Sequence, residues 1–132
     1  MEPDEAQRTT APAGDRVPGT VTLERPAAAV AIITLVGEHD LSTRADIRET
    51  LAWVGDEANV LVDLSDCSFI DSTVIGALVV AFQTLAERGL RLELAIPPEA
   101  AAVHRVAKVA GLTTFLAIHE TRSAGVASIS AI

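Results

Sequence analysis

The sequence predicts an α/β fold, a small mixed β-sheet of about five strands with helices packed against it. From residue 28 onward, short runs rich in Val, Ile and Leu alternate with longer segments whose apolar residues recur at helical spacing. Two of the runs, 28–36 and 59–64, are nearly continuous in apolar residues, as in strands covered on both faces. Strands separated by helices pair in parallel through right-handed crossovers. Composition agrees: 132 residues, 49% hydrophobic and 21% charged, suffice for one globular core. With three Phe, one Trp and no Tyr, that core has to be aliphatic.

Residues 1–19 carry Pro3, Pro12, Pro18, Gly14 and Gly19 among acidic and small residues, the composition of a flexible tail ahead of a domain at 20–132. Val21 and Leu23 begin a short edge strand that Pro26 ends. The run 28–36 then pairs with it as an antiparallel hairpin. Gly37-Glu38-His39-Asp40 reads as a polar loop with Glu38 and His39 in solvent. Ser42 or Thr43 caps the next helix, and Thr43 and Asp46 stand at capping-box spacing. Its apolar stripe is Ile47, Leu51 and Val54, widened by Ala45 and Ala52, with Trp53 at the margin and Gly55 as the stop.

Residues 59–64 form the central strand, after which Phe69 and Ile70 return to the core. A second helix runs from Val74 to about Arg88 on Ile75, Leu78, Val79, Phe82 and Leu85, and Gly89 caps it. Residues 91–96 alternate polar with apolar, which predicts a strand with one exposed face or an edge position; Pro97-Pro98 ends it. A third helix, 99–110, rests on Val103, Val106 and Ala107 and stops at Gly111. A last strand, 115–118, and a weak closing helix, 121–132, interrupted by Gly125, complete the chain.

Several function classes are disfavoured. A net charge of -8 argues against nucleic acid, where affinity comes mainly from neutralising phosphates, and against an anionic membrane surface. The single cysteine, Cys67, gives neither a disulfide framework nor a thiolate metal cage; it reads as a small packing residue. The longest apolar run, 27–37, is too short to span a bilayer, and residues 1–19 lack the features of a secretory signal, so the expected location is the cytoplasm. His39, His104 and His119 are scattered without ligand spacing, and no G-x-S-x-G elbow or Gly-rich phosphate loop is present. No enzyme activity, metal or cofactor is expected.

The chemistry-bearing stretch is Asp71-Ser72-Thr73. It sits where a strand gives way to a helix, and unpaired backbone N–H groups gather there. On the residues alone its commoner use is a helix cap, with Ser72 or Asp71 accepting an orphan N–H. Asp63 reads as a strand-end carboxylate bonding loop amides. Asp40 either starts a helix or joins a binding surface.

Three segments in order, Gly37-Glu38-His39-Asp40-Leu41-Ser42-Thr43, Val60-Leu61-Val62-Asp63-Leu64-Ser65 and Phe69-Ile70-Asp71-Ser72-Thr73-Val74-Ile75-Gly76, resemble a STAS domain. That is the fold of bacterial anti-sigma factor antagonists and of the cytoplasmic part of sulfate transporters. The resemblance covers about residues 21–126. It implies a partner, an anti-sigma factor serine/threonine kinase, and a phosphatase that resets the switch. It implies phosphorylation at Thr73, with Ser72 as the alternative acceptor, where the family usually has Ser followed by Gly. It implies a partner-binding surface made of Asp40, Ser42, Asp71, Ser72, Thr73, Val74 and Gly76. Val74, in place of the family's Gly, is expected to narrow a partner's approach. A phosphate there would lie at the positive end of a helix and add charge to an already acidic surface. The alternative is a non-switching STAS subunit of a signalling assembly or transporter.

Overall fold

The computed structural model describes residues 19–54 and 57–131, which form one mixed sheet with helices on both faces. The expected tail lies outside the described residues except for Gly19, as does the expected stop at Gly55.

β1 (Thr20–Ala27) pairs antiparallel with β2 (Val30–His39), the predicted hairpin. Pro26 does not end β1. The strand passes through it with a register shift between Glu24 and Ala27, so the missing N–H falls at an irregularity on an edge strand. β3 (Asn59–Asp63), β5 (Leu92–Ala95) and β6 (Ile118–His119) add in parallel, giving the order β1-β2-β3-β5-β6. A sixth strand, β4 (Cys67–Ile70), pairs in parallel with the far end of β2.

That end of β2 is the segment read as a polar loop. Gly37, Glu38 and His39 continue the strand instead, because Cys67, Phe69 and Ile70 supply backbone partners that the residue pattern does not show. Gly37 has φ 87° at a register shift in this pairing, a conformation that L side chains rarely adopt.

Along β2 and β3 side chains alternate between two cores. Ala31, Ile33, Leu35, Val60 and Val62 face α1 (Leu41–Val54), α2 (Ser72–Ala86) and α3 (Ala101–Val109), whose Ile47, Leu78 and Val103 join the same cluster. Val30, Ile32, Leu61 and Ala95 face the other way, under Ile129 and Val126 of α4 (Arg122–Ser130). On that second face Arg122 donates to Asp63 Oδ2 at 2.9 Å and to Thr34 Oγ1 at 3.1 Å, and its other amino group reaches Glu24 at 2.9 Å.

Other expectations change for physical reasons. Residues 92–96 are buried throughout, since β5 lies between β3 and β6 with both faces covered. Glu93 is tolerated there because His119 Nε2 lies 2.8 Å from its carboxylate and Arg91 3.9 Å away. Burial pushes this carboxyl up, but hydrogen bonds to Ser128 and His119 and the charges of His119 and Arg91 outweigh it and hold it low. Phe69 lies half exposed on the sheet edge while Ile70 is buried, as alternation requires. The last strand begins at Ile118; residues Leu112–Thr114 form a 3-10 turn, and the Phe115 ring packs on Phe82 with centroids 5.1 Å apart. Gly125 does not interrupt α4. It lies buried in the helix because a Cβ there would sit 2.6 Å from Leu61 Cδ1.

Candidate partner-binding site

Parallel pairing of β2 with β4 sets His39 opposite Ile70. Each of those residues ends its strand and is followed at once by an aspartate, Asp40 and Asp71, and then by a helix, α1 or α2. Two helix N-termini therefore stand side by side at one edge of the sheet. The sequence-predicted residues Asp40, Ser42, Asp71, Ser72 and Thr73 are brought to this edge.

The same local chemistry builds both starts. Asp71 is the N-cap of α2, with extended backbone at φ -113° and ψ -176°. Its Oδ1 accepts the N–H groups of Thr73 at 3.0 Å and Val74 at 3.2 Å, two of the donors a helix start leaves orphaned. The Thr73 hydroxyl donates to the same oxygen at 2.6 Å. At α1, Asp40 Oδ1 accepts the Ser42 N–H at 2.9 Å and the Ser42 hydroxyl at 2.6 Å. Asp40 thus does the capping expected of Ser42 or Thr43, one turn earlier than the capping-box spacing suggested. Between β3 and β4, Asp63 Oδ1 takes the Ser65 N–H at 3.0 Å and the Ser65 hydroxyl at 2.5 Å, the structural role expected of it. Asp-x-Ser/Thr occurs at all three places.

Ser72 is exposed and Thr73 half-buried. Gly76, on the same helix, is exposed, and a Cβ added there would meet nothing within 4 Å. Val74 is the exception among the predicted residues. At 0% exposure it points into the core with Ile75 and Leu78, so it offers no side chain to a partner and does not narrow the approach to Thr73. The helix turn that sends Thr73 to the rim sends Val74 inward.

His39, expected in solvent, is buried behind this edge. Its Nε2 lies 3.0 Å from the Val36 carbonyl, which fixes the proton on that nitrogen, and Nδ1 lies 3.0 Å from the Thr43 hydroxyl. Burial lowers its pKa below the usual imidazole value; the carbonyls of Val36 and Thr20 and the charge of Asp40 act in the opposite direction without cancelling it. Nothing in residues 37–40 read alone signals this, since the strand partner is thirty positions away.

Between α1 and α2 lies a groove of about 620 Å³, with Ser72 and Thr73 at its rim and Arg44 and Arg48 on the opposite wall. The sequence reading passed over both arginines. Cys67 is not a reactive thiol: it is buried, donates to the Phe69 carbonyl at 3.4 Å, and burial pushes its pKa up to about 11. Among the described residues no three His, Cys, Asp or Glu side chains gather as metal ligands, and no helix is long and apolar enough to cross a membrane.

Residues 22–118 match the sequence model of one family, described as "Mlab, STAS domain". The chain belongs to the STAS domain family. Solved structures show the same fold. An anti-sigma factor antagonist from Mycobacterium paratuberculosis superposes with a TM-score of 0.77 at 18% identity, over 93% of this chain and 100% of that one. The unphosphorylated form of the anti-sigma factor antagonist SpoIIAA gives 0.69 at 20% identity, over 86% of this STAS chain and 100% of its own. A murine solute carrier anion transporter gives 0.64 at 19% identity, with 82% of this chain matching 19% of the transporter. No curated protein matches the chain by sequence.

Proposed function

We propose that this STAS domain is an anti-sigma factor antagonist that holds an anti-sigma factor kinase and lets go when Thr73 is phosphorylated. One observation carries the reading: the Thr73 hydroxyl, its proton already directed at Asp71 Oδ1, stands at a rim opened by exposed Ser72 and side-chain-free Gly76. A partner resting there meets Asp40 and Ser42 on one helix start and Asp71 to Gly76 on the next, with Val74 left out of the contact.

In the switching step the partner's kinase activity moves the γ-phosphoryl of ATP to Thr73 Oγ1. The hydroxyl proton leaves toward Asp71 and on to solvent, and ADP departs. The new group carries a charge of about -1.5 to -2. Within the domain it lies at a helix start, where negative charge is tolerated. Against a docked partner it adds to Asp71 and Asp40, and its bound water has to be stripped for contact. Release therefore needs no refolding. Two of the structures with this fold are of SpoIIAA, one in its unphosphorylated form and one in its phosphorylated form, which accords with a fold that accepts the group.

The test is to mix the protein with anti-sigma factor kinases and ATP and to map phosphate by mass spectrometry. Phosphate is expected on Thr73, Thr73→Ala should bind whether or not ATP is present, and Thr73→Glu should bind weakly. No phosphate on Thr73 or Ser72, together with equal binding by both variants, would sink the switch and leave the non-switching subunit.

A further inference from the structure

The groove between α1 and α2 has a polar end and an apolar end. Both helices follow parallel strands, β2 and β4, so they run in the same direction. Arg44, in the first turn of α1, is therefore level with Ser72 and Thr73 in the first turn of α2. Leu51, Val80 and Ala81 line the groove further along. From Thr73 to Leu85 the α2 wall runs for about 18 Å.

Arg44 and Arg48 are four residues apart on one helix face, where like charges repel. Neither has a hydrogen bond or ion pair among the described residues. Arg25, Arg91 and Arg122 are instead held by backbone carbonyls or carboxylates. In a chain of net charge -8, two unneutralised guanidiniums facing a cavity beside the exposed Ser72 hydroxyl form a receptor for negative charge. The volume, about 620 Å³, suits a small molecule. Gly76 keeps the groove open, since it lines the wall without a side chain.

We infer that the groove binds an amphipathic organic anion, a single alkyl chain with a carboxylate or phosphate head. The head lies between Arg44, Arg48 and the Ser72 hydroxyl, and the chain lies along Leu51, Val80 and Ala81. This site does not depend on the kinase reading and stands or falls separately.

Calorimetry on the full-length protein, with dodecanoate and dodecyl phosphate below their micelle concentrations, tests it. Both should bind. Dodecanol, inorganic phosphate and phosphatidylglycerol vesicles should bind much more weakly. The double variant Arg44→Gln/Arg48→Gln should weaken dodecanoate at least about tenfold, the loss of charge-assisted bonds to the head. Gly76→Leu should abolish binding by filling the groove, with circular dichroism confirming the fold. The inference is overturned if neither amphiphile binds, if dodecanol or phosphate alone binds as tightly, if only vesicles bind, or if the double arginine variant keeps its affinity.

Discussion

Thr73 gives its hydroxyl hydrogen to Asp71 at 2.6 Å, and the same carboxylate oxygen holds the backbone N–H groups of Thr73 and Val74. The proposed phosphoacceptor and the cap of its own helix are thus one hydrogen-bonded unit. Fold stability and the proposed switching chemistry meet in the Asp71 carboxylate, and mutation should separate them.

Replacing Asp71 by Ala removes the N-cap acceptor of α2, at a cost of about 1 kcal/mol. Asp71→Asn keeps an acceptor oxygen and should lose less stability. Urea unfolding should show the midpoint moving down in that order with the slope unchanged. Equal losses for Asn and Ala would mean that the negative charge, not the acceptor oxygen, holds the junction together.

Gly76 is the place where stability and binding should move in opposite directions. A glycine inside a helix costs about 1 kcal/mol relative to alanine, and here a Cβ would touch nothing. Gly76→Ala should therefore raise the urea midpoint by an amount of that order. If a partner approaches the helix closely at this position, the same variant weakens the complex. Greater stability with weaker kinase binding is the expected pair of results; equal binding would place Gly76 outside the interface.

Much of this was legible in the residues because local chemistry and burial pointed the same way. The runs 28–36 and 59–64 mark the largely buried strands Val30–His39 and Asn59–Asp63, although Ala28 and Ala29 form an exposed turn, and the stripe Ile47, Leu51, Val54 marks a helix face whose Ile47 and Val54 are buried. The failures have a common cause, long-range pairing. Gly37 to His39 look polar and short, and only the backbone of Cys67 to Ile70 turns them into strand. Residues 91–96 alternate like an edge, yet neighbours on both sides and a His119 partner for Glu93 bury 92–96. The side-by-side placement of Asp40 and Asp71 follows from that unseen pairing. The motif at Thr73 was visible; the surface around it was not.

His39 should leave a mark on the pH dependence of stability. In the unfolded chain it takes up its proton near the ordinary value of 6.5, whereas in the fold burial delays protonation to lower pH. Between those two values the unfolded chain binds more protons, so stability falls as pH falls through that window and levels off below it. Glu93, also held low, acts at more acid pH, around and below its ordinary 4.5. Urea midpoints measured from about pH 8 to about pH 5.5 should decline in the native protein and flatten in His39→Gln. Parallel curves for the two would assign the decline to other groups.

Gly125 offers the reverse of Gly76. Both are helical glycines, and propensity alone favours alanine at each. At Gly125, however, a Cβ would lie 2.6 Å from Leu61 Cδ1 and 2.9 Å from Cδ2, and Leu61 is fully buried in the central strand. Neither the strand nor the helix can yield without disturbing the second core, where overpacking costs about 1–3 kcal/mol. Gly125→Ala should therefore lower the urea midpoint although it improves the helix. Shortening the obstacle should relieve it: with Leu61→Val in place, adding Gly125→Ala should cost less than it does alone, a coupling that a double-mutant cycle measures. Strict additivity would show that the two side chains do not press on each other, and that another contact accounts for the glycine.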